Sequence, residues 1–322
     1  MGHCLGPLTQ LDFNTIWNVA QCLLADTISP MNVFSKPQIH LSASVVLHNS
    51  PLALLNSAMQ SLHRSAQAAF QANCLARVTV YLIDNLSQES YRAELIREIA
   101  GWPQSEFFDI QYLPLASNRG FGAGHNEVLQ RLASDFHLVL NPDVELQDDT
   151  LRTGLTLLLD NEDVALASPK VFSGGGEQEF LCKRYPSVLV LLLRGFAPRF
   201  LRRLFRQQLA AYEMRDLCQD EGHGQGQGQG QGQVNVAIAS GCFMLVRTPD
   251  LRAISGFNED FFLYFEDFDL SLRLGKVGRL VFDPDMRIIH HGGYAANKGR
   301  LHLRYFITSG MMFFNRHGWR WI

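Results

Sequence analysis

No run of apolar residues in this chain approaches the roughly 20 needed to cross a bilayer, although 47% of its 322 residues are hydrophobic. Cysteine is sparse and scattered: Cys4, Cys22, Cys74, Cys182, Cys218 and Cys242 form no Cys-x-x-Cys pair. That spacing argues against a disulfide framework or a zinc site and fits a reducing compartment. Charge of one sign is also missing, since the net charge of -3 gives no nucleic-acid signature and no nucleic-acid partner is expected. The N-terminus has no basic segment ahead of an apolar core, which speaks against a secretory signal. Finally, no Gly-x-Gly-x-x-Gly follows the first strand, so a dinucleotide-dependent dehydrogenase is a poor reading.

What the sequence does contain is an alternation of strand and helix patterns. Leu41–Leu47 is an apolar, β-branched run ending in His48-Asn49-Ser50-Pro51, and Leu52, Leu55, Met59 and Leu62 then recur at helical spacing. Val78–Ile83 reads as a second strand stopped by Asp84-Asn85, Tyr91–Ile99 as a helix, and Ile110–Leu113 as a third strand. A helix over Gly122–Ala133, a strand over Phe136–Leu140, a helix over Leu151–Leu159 and a strand over Val164–Phe172 follow. Such alternation predicts an α/β fold with a mostly parallel, doubly wound central sheet flanked by helices. Residues 1–38 mix Gly, Pro and isolated apolar residues and read as an N-terminal extension, with disorder and an alternative start at Met31 as expectations; the folded domain is placed at 39–322. Within it, residues 183–233 read as a basic amphipathic insertion and a Gln-Gly low-complexity loop, and residues 300–322 as the C-terminal helix region.

Four clusters have the residue types that phosphate and transfer chemistry require. Asn118-Arg119-Gly120-Phe121-Gly122-Ala123-Gly124-His125-Asn126 joins a strand to a helix, and its glycines permit close backbone approach to an anion, or simply a tight turn. Asn141-Pro142-Asp143 delivers a carboxylate to the C-terminal edge of a strand, where open α/β sheets bind ligands, and a hard divalent cation needs such an oxygen ligand; a plain turn is the alternative. His290-His291 before Gly292-Gly293 supplies imidazoles at a strand end, of which one can share the strand's inner face. Tyr264-Phe265-Glu266-Asp267-Phe268-Asp269 sets three carboxylates among aromatics, where desolvation raises basicity, or where acids favour the first turn of a helix. Asp84 can accept hydrogen bonds from a base or ribose, or cap a turn. Between Glu179 and Glu213 there is no acid, while Lys183, Arg184, Arg194, Arg199, Arg202, Arg203 and Arg206 alternate with apolar residues. This stretch reads as a segment lying on an anionic membrane surface, or as a solvated amphipathic helix pair.

Together these residues resemble family 2 glycosyltransferases, in the bacterial rhamnosyltransferase-like branch that builds surface polysaccharide. The resemblance runs from about Leu41 to Asn315 and rests on Val45-Val46-Leu47-His48-Asn49-Ser50, Ile83-Asp84-Asn85, Asn118-x-Gly120-Phe121-Gly122 with Asn126, Asn141-Pro142-Asp143, Ser240–Leu245, Gly256-Phe257, Phe265-Glu266-Asp267-x-Asp269-Leu270 and His290. It implies a GT-A fold, with Mg²⁺ or Mn²⁺ held by Asp143 and His290. The donor nucleotide sugar would be bound by His48, Asn49, Asp84, Asn118, Gly120, Phe121, Gly122, Asn126, Asn141 and Asp143. It also implies Asp267 as the base, with Glu266 beside it, and inversion at the anomeric carbon. Two departures stand out: Asn141 replaces the first acid of the familiar Asp-x-Asp, and His48 stands where tyrosine is common. The expected reaction transfers rhamnose from dTDP-rhamnose to a lipid-linked or polysaccharide acceptor, by a cytoplasmic protein peripheral on the inner face of the cytoplasmic membrane. A UDP-hexose or UDP-galactofuranose transferase and a catalytically degenerate assembly module are the alternatives.

Overall fold

The computed structural model of the chain describes Gly2 and residues 39–218, 232–292 and 299–322. The expected N-terminal extension and most of the Gln-Gly tract lie outside the described residues. The chain divides into Met1–Lys36 and Pro37–Ile322, and everything below concerns the second unit.

A central sheet begins with β1 (His40–Leu47), β2 (Arg77–Asp84), β3 (Phe108–Pro114) and β4 (Phe136–Leu140), all parallel, in spatial order β3-β2-β1-β4. Residues Leu41 to Val45 and all of β4 are buried, as expected of parallel strands covered on both faces. Helix α1 (Leu52–Gln71) supplies one cover: Leu55, Met59, Leu62, Ala66 and Ala69 form a buried stripe at helical spacing. Its Ser61 and Ser65 hydroxyls accept hydrogen bonds from the backbone N–H groups of Leu146 and Leu151, both at 3.0 Å. Through them α1 fixes β5 (Val144–Leu146) and the start of α4 (Thr150–Asp160). Helix α2 (Glu89–Gly101) makes the crossover from β2 to β3, and the short α3 (Phe121–Asn126) follows β3.

Beyond β4 the sheet continues through β9 (Phe243–Arg247), β6 (Val164–Ser173) and β10 (Arg279–His290) to β5. β9 runs antiparallel to both β4 and β6, whereas β10 is parallel to β6. The sheet is thus mostly parallel, with β9 reversed within it and β5 reversed at its edge, a feature that alternating strand and helix patterns do not reveal. Two two-residue strands, β7 (Gln178–Glu179) and β8 (Val234–Asn235), pair with β6 and β10 at its margin.

Two sequence expectations need correction. The helix predicted over Gly122–Ala133 ends at Asn126 and resumes only as one 3₁₀ turn, Leu129–Arg131, because the Asn126 side chain is tied across to Phe257 (below). The basic segment forms not a helix pair but a string of short helices, α5 (Val188–Phe196), α6 (Arg199–Leu204), α7 (Arg206–Tyr212) and α8 (Arg215–Cys218). Pro198 breaks the first from the second, since proline removes a backbone donor and favours extended geometry before it. The remaining helices are α9 (Thr248–Ala253), α10 (Glu266–Leu274) and α11 (Arg300–His317), the last close to the predicted C-terminal helix.

Candidate active site

The C-terminal ends of β1, β2 and β3 converge on the Asn118–Gly122 loop. Asn85, one residue past β2, clamps it: its amide donates to Asn118 Oδ1 and to the Gly120 carbonyl, both at 2.9 Å, and its Oδ1 accepts from Arg119 N at 2.8 Å. Asn118 Oδ1 also accepts from Gly120 N at 3.0 Å. Gly120 has φ 89° and ψ -179°, a conformation open essentially to glycine alone, and a β-carbon there would press into the Phe262 carbonyl. The next residue, Phe121, donates its N–H to that same carbonyl at 3.0 Å. Gly122 and Gly124 let the short helix sit against Phe257 and Val46.

Several residues expected to hold the donor also hold the loops. Asn126 accepts from Phe257 N at 2.9 Å and donates to the Phe257 carbonyl at 2.8 Å, stapling α3 to the Gly256–Phe257 turn. Its amide is committed to protein contacts in this conformation. Asp84 is fully buried; its carboxylate accepts from Ser87 N at 2.8 Å and Tyr112 Oη at 3.0 Å and pairs with Arg92. No face of it is open to a base or ribose in this conformation. Asn49, at φ 51°, receives the Gln88 N–H on its side chain. His48 is exposed, with Nδ1 3.0 Å from the Asn85 carbonyl, and so keeps one imidazole face for a ligand. Beneath α3, His125 and His137 are buried and joined through Ser44 Oγ at 2.7 and 2.8 Å. Burial holds both imidazoles neutral, pushing His137 down to about 3 and His125 well below its ordinary value.

The second group lies where β4 ends. Asn141-Pro142-Asp143 separates β4 from β5, and β5 pairs antiparallel with β10 so that His290 sits opposite Val144. This register brings His290 Nε2 to 3.7 Å from Asp143 Oδ1. That carboxylate oxygen is buried and has no hydrogen-bond partner, a costly state for a polar atom unless something else satisfies it. His290 Nδ1 lies 3.2 Å from Glu179 Oε2, which orients the ring as carboxylates do for metal-bound imidazoles. The adjacent His291 turns the other way, to Glu145 at 2.9 Å. Among the described residues no cluster of three or more His, Cys, Asp or Glu side chains forms a complete cage. A carboxylate and an imidazole nevertheless fit a Mg²⁺ or Mn²⁺ ion that takes its other ligands from a diphosphate and water.

The third group is the start of α10. Asp267 Oδ2 accepts from Gly241 N and Oδ1 from Phe268 N, both at 3.0 Å. Gly241 is closely packed: a β-carbon there would lie 3.2 Å from the Phe121 ring and 3.3 Å from Asp267 Cβ. The same loop receives Asn141, whose N–H donates to the Cys242 carbonyl at 2.9 Å. Burial, assisted by the nearby Asp143, Asp267 and Glu179 carboxylates, pushes the Cys242 thiol up to about 12. Ser240–Cys242 therefore links the two candidate centres, bonded to Asn141 on one side and Asp267 on the other. Burial also raises Asp267 above the ordinary carboxylate value, and burial together with the Asp267 charge raises Glu266. The two carboxylates part company in space. Asp267 lines a cavity of about 300 Å³ with Arg194, Tyr212 and Phe306. Glu266 is buried, with Oε2 unpartnered, and does not reach that cavity.

Tyr264 and Phe265 both have positive φ, 69° and 65°, a genuine outlier for bulky residues. An aromatic cluster holds them there: the Phe265 ring lies 5.3, 5.2 and 5.4 Å from those of Phe268, Phe306 and Phe313. The last two come from α11, whose Ser309 also donates to the Leu263 carbonyl at 2.8 Å and whose His317 meets Asp269 at 2.8 Å.

The profile of "Glycosyl transferase family 2" matches residues 42–253. The chain belongs to this family. Its Asp267 segment lies just beyond the matched stretch. An N-acetylglucosaminyl-diphospho-decaprenol L-rhamnosyltransferase of Mycobacterium tuberculosis is 26% identical over 238 residues, 69% of either chain. Rhamnosyltransferase WbbL of Escherichia coli K12 is 24% identical over 183 residues, 53% of this chain and 61% of that one. Both are rhamnosyltransferases, the branch the motifs resemble. Among solved structures, GalNAc-T7 with UDP, GalNAc and Mn²⁺ superposes with a TM-score of 0.55 at 12% identity, covering 86% of this chain and 49% of that one. The mannosyltransferase PcManGT of Pyrobaculum calidifontis, with GDP-Man and Mn²⁺, also gives 0.55, at 13% identity, over 95% of this chain and 72% of that one. The family 2 transferase therefore has the expected GT-A fold.

Sequence reading named Asp143, His290 and Asp267, and the structure gathers the first two within 3.7 Å and sets the third across the Ser240–Cys242 loop. It missed Asn85 and Glu179, whose partners are distant in sequence, although Asn85 follows Asp84 in a motif already singled out. It also missed Arg194, Tyr212 and Phe306 around the Asp267 cavity.

Proposed function

We propose that this transferase moves rhamnose from dTDP-rhamnose to a hydroxyl of a lipid-linked glycan, with inversion, at the inner face of the cytoplasmic membrane. The observation that carries the reading is the placement of two unlike carboxylates about one loop. Asp143 keeps a buried oxygen unpaired beside His290, and Asp267 faces a cavity large enough for part of an acceptor.

In this reading the donor diphosphate lies over the Gly120–Gly122 loop and near Asn141, with its base against His48. Asp143 and His290 would hold the divalent ion, which would neutralise charge on the leaving diphosphate. Asp267, fixed by the Gly241 and Phe268 N–H groups, takes the proton from the acceptor hydroxyl. The hydroxyl oxygen attacks the anomeric carbon, and the sugar's bond to the diphosphate oxygen breaks with its electron pair leaving on the nucleotide. Proximity of the two substrates supplies much of the remaining acceleration. Membrane association is supported by the exposure of Phe200 and Leu204 on α6, beside Arg199, Arg202 and Arg203. No helix among the described residues is long and apolar enough to span a bilayer.

A UDP-hexose donor is the second reading, compatible with the commitment of Asp84 and Asn126 to protein contacts, which leaves His48 alone to meet the base. Thermal-shift titration with dTDP, UDP and GDP, each with and without Mn²⁺, separates them by which nucleotide stabilises the fold in a metal-dependent way. Asp267→Asn should lower transfer by about 10²–10⁴-fold while that nucleotide shift persists; undiminished turnover removes Asp267 as the base.

A further inference from the structure

Stability alone gives no reason for a histidine at position 125. His125 is 3% exposed on α3, its Nε2 has no hydrogen-bond partner, and burial keeps the ring neutral. A buried polar atom left unpaired costs about 1–3 kcal/mol, a cost that an apolar side chain of similar volume would avoid. The other nitrogen, Nδ1, ends a chain of hydrogen bonds that crosses two strands. Ser44 Oγ lies 2.7 Å from it and 2.8 Å from His137 Nε2, and His137 Nδ1 lies 2.7 Å from Ser42 Oγ. Ser42 Oγ in turn is 2.6 Å from Ser134 Oγ. Ser42 and Ser44 share one face of β1, and the register pairs Ser42 with His137 of β4. The chain therefore ties the His125 ring to the sheet.

What this ring touches is the donor loop. The Phe121 ring meets it nearly edge to face, at 69° and 4.5 Å between centres, and the Phe257 ring lies 5.7 Å away. In the tautomer that leaves no bare lone pair in this apolar nest, Nδ1 accepts from Ser44 and the Nε2–H lies among the aromatic rings, a weak attractive contact. The same Phe121 ring packs on Gly241, where a β-carbon would come within 3.2 Å of it. Gly241 is the residue whose N–H holds Asp267, at 3.0 Å. From the sheet to the carboxylate the order of contacts is Ser44, His125, Phe121, Gly241, Asp267. Asn85 secures the loop backbone independently, so the His125 ring governs where the Phe121 side chain sits rather than whether the loop forms.

We propose that His125 is a positioning residue for transfer: anchored through Ser44 to His137, it sets the Phe121 ring and thereby the spacing between the donor loop and the Gly241–Asp267 contact. This rests on the transferase reading and extends it to a buried group that acts only through another side chain.

The test compares His125→Leu with His125→Gln in the full chain. Leucine is apolar and of similar volume, and Ser44 can still bond His137, so its thermal midpoint should equal or exceed that of the parent. Glutamine keeps an acceptor for Ser44 but brings an amide into the same apolar nest, so its midpoint should be the lower of the two. Turnover is read as dTDP released from dTDP-rhamnose with Mn²⁺, or as UDP from UDP-glucose where UDP is the nucleotide that stabilises the fold. That release counts transfer to any hydroxyl, water included. We expect kcat to fall by about tenfold or more in His125→Leu, as small misplacements of reacting groups do, and by less in His125→Gln, with KM for the donor unchanged in both. Activity and stability then run in opposite order. A kcat unchanged in both variants, or one that follows the thermal midpoint across them, overturns the proposal and leaves His125 a packing residue. A loss of kcat/KM carried by KM overturns it too, and assigns the ring to holding the donor. Failure of the transferase reading shows separately, as an absence of metal-dependent nucleotide binding in the unaltered protein, and takes the proposal with it.

Discussion

Replacing Phe313 by leucine tests whether the C-terminal helix holds the Tyr264–Asp267 segment in its strained form. Phe313 is 0% exposed and its ring centre lies 5.4 Å from Phe265, 5.9 Å from Phe268 and 5.5 Å from Tyr185. Left-handed backbone at bulky residues costs of order 1–3 kcal/mol each, so Tyr264 and Phe265 together store roughly 2–6 kcal/mol that their surroundings must offset. Each aromatic pair contributes about 0.5–1.5 kcal/mol beyond area burial, and Phe265 makes three such contacts. Strain and restraint are thus of similar size, and losing one contact tips the balance toward a relaxed segment. The leucine itself costs about 3 kcal/mol or more, for repacking and the lost ring pairs with Phe265, Phe268, Tyr185 and Phe314 at about 0.5–1.5 kcal/mol each. A domain stable by about 5–15 kcal/mol stays folded at 25 °C, with its melting temperature lowered by roughly 6 °C or more. We therefore expect Phe313→Leu to retain metal-dependent stabilisation by nucleotide while kcat for transfer falls about tenfold, the equivalent of 1.4 kcal/mol. A lowered melting temperature with unchanged kcat would refute the reasoning, because the strained turn would then be held by something other than α11.

Three further outcomes follow from the site. Asp143→Asn should abolish most of the Mn²⁺-dependent part of nucleotide stabilisation in thermal shift, leaving the metal-independent part; an unchanged metal effect would return Asp143 to an ordinary turn residue. Gly120→Ala should destabilise the protein by at least about 1–3 kcal/mol, since φ 89° and the Phe262 carbonyl both oppose a β-carbon, and denaturant midpoints measure it. Glu266 has a raised pKa, so its neutral form favours the fold at low pH and that contribution is lost as pH rises through the folded value. Glu266→Gln should accordingly gain stability over the parent protein as pH rises through that value, and an identical pH–stability curve would show the carboxylate already relieved by a partner.

The parallel half of the sheet was legible because strands buried on both faces are written as short apolar runs, as in Leu41–Leu47 and Phe136–Leu140. The reversed strand β9 was not: Phe243–Arg247 is also an apolar run, and periodicity says nothing of direction. Asp143, His290 and Asp267 stand out in the sequence since each sits at an element end marked by proline, glycine or clustered acids. Asp84 and Asn126 were named for the donor, yet the groups that occupy them, Tyr112, Arg92 and the Phe257 backbone, come from other elements. The reach of a side chain across a fold is not encoded in its own neighbourhood. Glu179 is the plainest case, an acid in a two-residue strand that becomes significant only once β7 folds back beside His290.

The two halves of the site rest on different physics. Asp143 is set by sheet register, with Val144 paired to His290 and β5 tied to α1 through Ser61, so side-chain changes at the surface leave its position intact. Asp267 is set by aromatic packing from α11 and by one glycine contact at Gly241. Packing of that kind has alternatives close in energy, whereas a strand register slipped by one residue turns every side chain to the wrong face. Substitutions in α5, α10 and α11 can therefore reshape what meets Asp267 without disturbing the donor loop or the Asp143–His290 pair. In this arrangement the surroundings of Asp267 can change while the Asp143 half keeps its register, because the first is built from the part of the molecule that tolerates repacking.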